Sequence, residues 1–143
     1  MTIDALTDAD IRQLLLTTRR IAVVGASDRP GRASFGVSAF LVARGYAVTP
    51  VNPAMAGRPL PGGTTVAGLE EALPLDMVDV FRRSADAGAV VDAAVSLGAR
   101  SVWLQLGVVD EAAAARARAA GVVVAMDRCP VIEWRRLGLP PTI

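Results

Sequence analysis

The stretch IAVVGASDRPGRASFG, Ile21 to Gly36, decides how the rest of the chain is read. Ile21-Ala22-Val23-Val24 is a short apolar run rich in β-branched residues, as a buried strand requires. Gly25 breaks it into a small polar loop carrying Arg29 and Arg32, and Ser34 stands where a helix N-cap is expected. A buried strand, a glycine-bearing loop and a helix N-terminus together hold phosphate on backbone N–H groups. The first expectation is therefore a nucleotide-like ligand.

Working outward, strand and helix patterns alternate along the whole chain. Before the stretch, Thr7 or Asp8 caps a helix to about Thr18, with Ile11, Leu14 and Leu15 on one face. After it come a helix over Ser34 to Arg44 and a second strand over Tyr46 to Val51, ending in Asn52-Pro53. Residues 54–65 are rich in Gly and Pro and read as a surface excursion, followed by a short helix over Val66 to Leu73. Met77 to Phe81, Ser101 to Leu104 and Val122 to Met126 are the remaining strands. Helices over Asp86 to Leu97 and from the cap Asp110 to about Ala120 separate them, and Val131 to Leu137 is a last short helix. The strands are continuous apolar runs, which belongs to a parallel sheet covered on both faces. The expected fold is α/β: a Rossmann-like, doubly wound, parallel five-stranded sheet in one domain, with strand order 3-2-1-4-5.

Composition narrows the chemistry. The 143 residues are 52% hydrophobic, enough for one well-filled core, and the net charge of +1 supplies no field toward nucleic acid or a membrane surface. No apolar run approaches the ~18 residues of a transmembrane helix. The acidic start, without a small-residue cleavage site, does not read as a signal peptide, and the lone cysteine fits a reducing, cytoplasmic setting. There is no histidine, and all 15 basic residues are arginine. That excludes a histidine metal site, Ser-His and Cys-His pairs, Schiff-base lysine chemistry and the lysine of a nucleoside-triphosphate loop.

In a sheet of this kind ligands bind beyond the carboxyl ends of the strands. Those ends are Gly25-Ala26-Ser27, Asn52-Pro53, Phe81-Arg82-Arg83, Gln105-Leu106-Gly107 and Asp127-Arg128-Cys129. The loop Gly25-x5-Gly31 is not the dinucleotide fingerprint, and Asn52 stands where an acid would hold a ribose hydroxyl. Asp79 and Asp127 are the only acids near strand ends, and beside Arg-bearing turns they read as paired rather than catalytic. What remains is an anionic, adenine-bearing ligand held without catalysis. Ser27 and the N–H groups around Gly25 and Ser34 suit a pyrophosphate, and Arg29 and Arg32 can pair with it bidentately. Asn52 and Pro53 would line the next wall, and Phe81 could pack on a flat ring.

IAVVGAS, VTPVNP, MVDVFRR, VWLQLGV and VAMDRC, in this order and spacing, resemble the small stand-alone CoA-binding domain proteins, which are similar to the CoA-binding domain of the succinyl-CoA synthetase alpha subunit. The resemblance runs from about Asp10 to Leu137 and implies a Rossmann-like fold with coenzyme A as ligand. Carried onto matching positions, it implies that Gly25, Ala26 and Ser27, with Arg32 and Ser34, meet the phosphates. Asn52, Pro53, Phe81 and Arg82 would flank the adenosine, and Gln105, Leu106 and Gly107 the pantetheine. The synthetase's phosphohistidine has no counterpart in a chain without histidine, so the resemblance implies CoA binding and not the ligase reaction.

Arg128 and Cys129 complete the set of candidate ligand residues. Cys129, beside Arg128 and near a helix start, is placed to exchange with the CoA thiol as a mixed disulfide. The competing readings are an NAD(P)-binding oxidoreductase and an interaction subunit derived from a nucleotide-binding domain. The sequence names no protein partner.

Overall fold

The computed structural model describes residues 3–142. Helix α1 (Asp8–Thr17) leads into β1 (Arg20–Val24), α2 (Ala33–Ala43) and β2 (Ala47–Val51). A 3-10 turn over Pro53–Met55 and a two-residue hairpin, β3 (Pro59–Leu60) with β4 (Gly63–Thr64), make up the Gly/Pro-rich excursion. A second 3-10 turn over Leu69–Ala72 precedes β5 (Met77–Val80), α3 (Ser84–Ser96), β6 (Ser101–Leu104), α4 (Glu111–Ala119), β7 (Val123–Ala125) and α5 (Pro130–Arg136).

The fold class is as expected: one parallel five-stranded sheet between helices. The strand order is a correction. It is β2-β1-β5-β6-β7, or 2-1-3-4-5 when the five sheet strands are counted along the chain, rather than 3-2-1-4-5. Pro50 carries the physical reason. It lies in β2 opposite Val23 and has no N–H to give a second ladder, so β2 belongs at an edge. β5, buried at every residue, takes the interior place beside β1. On the outer side of β2, Val66 donates its N–H to the Pro50 carbonyl (3.0 Å) and its carbonyl accepts from Asn52 N–H (2.9 Å). Val66 is therefore extended, and the expected helix over Val66 to Leu73 shrinks to the Leu69–Ala72 turn.

The period of two along each strand sorts the core into two layers. Ile21, Val23, Met77, Trp103 and Ala125 face α1, α2 and α5, packing with Ile11, Leu15, Val37, Leu41 and Trp134. Ala22, Val24, Val78, Val80, Val102, Leu104 and Val124 face α3 and α4, where Ala113, Ala114 and Ala117 let the helix sit close to the sheet. The caps follow the sequence at α1, where Thr7 and Asp10 form a reciprocal box, and at α4, where Asp110 accepts from Ala113 N–H (2.9 Å). At α2 they do not. The helix begins one residue early, Arg32 is its N-cap without a side-chain bond, and Ser34 lies buried inside the first turn.

Candidate functional site

The direction of the chain reverses between β1 and β5, because α2 leaves β1 toward β2 and the next connection returns across it. Such a switch point opens a crevice at the strands' carboxyl ends. Here it is a cleft of ≈ 680 Å³. Its floor follows from register. Val23, Asp79 and Trp103 lie side by side across β1, β5 and β6. Two residues further along each strand stand Gly25, Phe81 and Gln105, and all three line the cleft.

Gly25 is held in the left-handed region (φ 90°) with its Cα against the Phe81 carbonyl, and a Cβ there would lie 2.2 Å from that oxygen. The approach is fixed by Gly25 N–H donating to Val51 O (3.0 Å) and Phe81 N–H donating to Val24 O (2.8 Å). The loop after it is internally braced. Ser27 Oγ accepts from Arg29 N–H (3.1 Å), Asn52 Nδ2 donates to Ala26 O (2.9 Å), and Asp28 pairs with Arg58 of the hairpin segment (2.7 Å). The N–H groups of Ala33 and Ser34, at the start of α2, find no acceptor among the described residues. They supply the free donors of a helix N-terminus at the cleft wall.

Twelve of the fifteen candidate residues line this cleft: Gly25, Ala26, Ser27, Arg29, Arg32, Ser34, Asn52, Phe81, Arg82, Gln105, Leu106 and Cys129. Three do not. Pro53 lies on the exposed start of the 3-10 turn and lines a separate depression with Val24, Val51 and Arg82. Gly107 is tied down at the rim, its N–H donating to Asp127 Oδ1 (2.7 Å) and its carbonyl accepting from Ser84 Oγ (3.2 Å). Arg128 points away into the core, where Asp4 and Glu133 hold its guanidinium. Placing it beside Cys129 as a ligand cation is corrected by that geometry. A guanidinium with two buried carboxylates at hand is neutralised inside the protein.

Three lining residues escape the sequence reading, Ala33, Met55 and Val108, and Arg83, named at its strand end but not chosen, lines the cleft as well as Arg82. Ala33 is hidden by the one-residue offset of α2, and Met55 by the irregular turn after Asn52. Arg83 stands next to a chosen arginine, and its exposed side chain pairs with Asp86 (3.0 Å). Arg29, Arg32 and Arg82 form no ion pair among the described residues, and no carboxylate lines the cleft. The lining from the end of β1 and the start of α2 is thus cationic and rich in donors, and that from the ends of β6 and β7, with Gln105, Leu106, Val108 and Cys129, carries no arginine; Phe81, Arg82 and Arg83 come from the end of β5 between them.

Of the two acids near strand ends, Asp127 accepts the Gly107 bond, while Asp79 is completely buried and receives Gln105 Nε2 (2.8 Å). Neither pairs with an arginine. Burial pushes the Asp79 carboxyl up to about 7, the Gln105 bond only partly opposing it. Among the described residues no cluster of metal-ligating side chains occurs, and no helix is long and apolar enough to cross a membrane.

A doubly wound sheet with a glycine turn, free helix N–H groups and unpaired arginines at its switch point defines a protein that binds a small anionic ligand of the nucleotide kind. Residues 19–135 match the family model described as CoA binding domain, and the chain belongs to that family. It is 39% identical over 122 residues to the Bacillus subtilis (strain 168) protein YneT, described as uncharacterized, covering 85% of this chain and 89% of that one. A solved structure of a hypothetical protein from Pyrococcus horikoshii OT3 superposes with a TM-score of 0.88 at 34% identity, covering 96% of each chain. A solved protein from Thermus thermophilus gives a TM-score of 0.87 at 34% identity, covering 92% of this chain and 99% of that one.

Proposed function

We propose that the cleft binds coenzyme A, free or as an acyl thioester, and holds it without chemistry, so that the protein serves in the cytoplasm as a sensor, carrier or accessory protein. The observation that carries this reading is the division of the cleft. Arg29, Arg32, Arg82 and the start of α2 offer cations and N–H donors with no carboxylate among them. Gln105, Leu106 and Val108, after β6, offer a neutral stretch of lining for an arm that is itself mostly uncharged. Phosphates fit the first and a pantetheine arm the second. The absence of reaction is supported by the residue inventory: no histidine, no lysine, and both acids near the strand ends engaged within the fold.

Thermal unfolding in the presence of CoA, acetyl-CoA, NAD⁺, NADP⁺ and ATP tests the assignment. A ligand at 100-fold its dissociation constant adds ~2.7 kcal/mol, which for a chain of this size raises Tm on the order of 10 °C. CoA or acetyl-CoA is expected to give that shift. A shift with NAD⁺ and none with CoA would instead favour the oxidoreductase reading, and no shift with any of them the interaction subunit.

Cys129 serves as a reporter of where the arm ends, since it lines the cleft and is 9% exposed. With CoA disulfide, its thiolate would attack one sulfur, forming a protein–CoA disulfide and releasing the second CoA as a thiolate. Intact mass is expected to show one adduct, reversed by dithiothreitol and absent from Cys129→Ser. An adduct that persists in Cys129→Ser, or none in the wild-type chain, would place the thiol elsewhere.

A further inference from the structure

The residue beneath the cleft floor has no place in the binding scheme so far. Asp79 sits one layer below Phe81 on β5, flanked in register by Val23 and Trp103. Its Oδ1 accepts from Gln105 Nε2 (2.8 Å), while its Oδ2 is buried without a hydrogen-bond partner among the described residues. A buried polar atom left unsatisfied costs stability, and an apolar residue at this interior strand position would avoid the cost. Among the described residues Gln105 is the only polar side chain joined to Asp79, and it lines the cleft.

A carboxylate can only accept hydrogen bonds, so an ionised Asp79 fixes which end of the Gln105 amide faces it. The NH₂ must turn toward Asp79. The carbonyl oxygen, Oε1, is then left for the cleft, and it accepts no hydrogen bond within the described residues. We propose that Asp79 is a positioning residue that pins the Gln105 amide so that its carbonyl oxygen is the group offered to the ligand, where it accepts from an amide N–H of the pantetheine arm. This rests on the CoA reading and adds to it the direction of one hydrogen bond and the residue that sets it.

The same geometry predicts its own reversal. A protonated Asp79 gains an O–H that can donate to Oε1, and the amide can then turn its NH₂ to the cleft. The elements packed on this face bring few charges toward Asp79. α2 turns in Ser34, Val37, Ser38 and Leu41, and α1 turns in Ile11 and Leu15, none of them titratable near neutrality. α5 brings Cys129 and Glu133, the latter bound to Arg128 and Arg136, and β2 follows the buried Tyr46. Burial pushes the Asp79 carboxyl up to about 7, with the Gln105 bond opposing it. As pH falls through that value the acceptor is lost, and the arm's bond with it.

Affinities for CoA and for adenosine 3′,5′-bisphosphate, which lacks the arm but keeps an adenosine and phosphates, separate positioning from structure. Asp79→Asn, whose amide no longer dictates the orientation of Gln105, is expected to weaken CoA about three- to tenfold and the bisphosphate by less than about twofold. Gln105→Met reads the same contact should Asp79→Asn fail to fold. In the wild-type chain the ratio of CoA to bisphosphate affinity should fall below about pH 7, and in Asp79→Asn it should stay flat. Equal loss for both ligands, or a wild-type ratio independent of pH, would overturn the inference while leaving CoA binding intact. A wild-type chain that binds no CoA would overturn the ligand reading, and this with it.

Discussion

Gly25→Ala is expected to destabilise the chain by about 3–5 kcal/mol and to remove the CoA-induced rise in Tm. Two costs add. An L-residue at φ 90° is strained by about 1–3 kcal/mol wherever it occurs. The new methyl would also meet the Phe81 carbonyl at 2.2 Å, and that carbonyl is backbone of the residue that directly follows β5, the strand next to β1. Relief would require β1 and β5 to part at their carboxyl ends, where the cleft floor is built. Urea unfolding measures the loss, and the ligand panel on the surviving folded fraction measures the second effect. Gly31→Ala is the internal control. It has an ordinary φ and nothing within 4 Å of its added Cβ, so it should be neutral or stabilising by a few tenths of a kcal/mol. A Gly25→Ala chain as stable as wild type would show that the close approach to Phe81 is not required.

Arg128→Met is expected to cost about 3–5 kcal/mol, because removing one partner strands buried charge. The guanidinium is 7% exposed. Its Nε donates to Asp4 Oδ2 (2.7 Å), its Nη2 to Asp4 Oδ1 (2.9 Å) and the Leu6 carbonyl (3.1 Å), and its Nη1 lies 3.4 Å from Glu133. Asp4 also accepts from Met126 N–H (3.0 Å), so this one cluster joins the N-terminal segment, the end of β7 and α5. Denaturation should be nearly as sensitive to the substitution at high salt as at low, since buried pairs are poorly screened. Asp4→Asn combined with Arg128→Met should recover part of the loss by removing one stranded charge, as a double-mutant cycle would read. CoA affinity of the folded fraction should change little, because Arg128 does not line the cleft. A large, selective loss of CoA binding with stability intact would return Arg128 to the site.

The contrast between these two residues shows what could be read from the chain. The strand-end motifs are local, and the period of two carries them to one end of the sheet. Twelve of fifteen candidate positions therefore meet in one cleft. Arg128 is different, because its fate depends on Asp4, 124 residues away in sequence. Glu133, five residues on, is the nearer partner but stands 3.4 Å away, and at a strand end an arginine reads as ligand-facing. Gly25 and Gly31 look equivalent as letters in a loop, and the left-handed φ of Gly25 and the position of the Phe81 carbonyl separate them. Strand order was open to a closer reading, since Pro50 inside a strand argues against an interior place. Asp79 was visible as an acid among apolar neighbours, but its tie to Gln105 arises from the pairing of β5 with β6.

The same Pro50 has a consequence for how chains meet. An uncovered strand edge is a template on which another chain can add its own strand. At β2 that template is spoiled: Pro50 brings no donor, and Val66 already occupies the Pro50 carbonyl and the Asn52 N–H. β7, with only Val123–Ala125 in the ladder, leaves the opposite margin just three residues long. Neither margin gives a long run for strand addition, so the sheet is protected from growing sideways into a fibre by one proline, one borrowed valine and a short last strand.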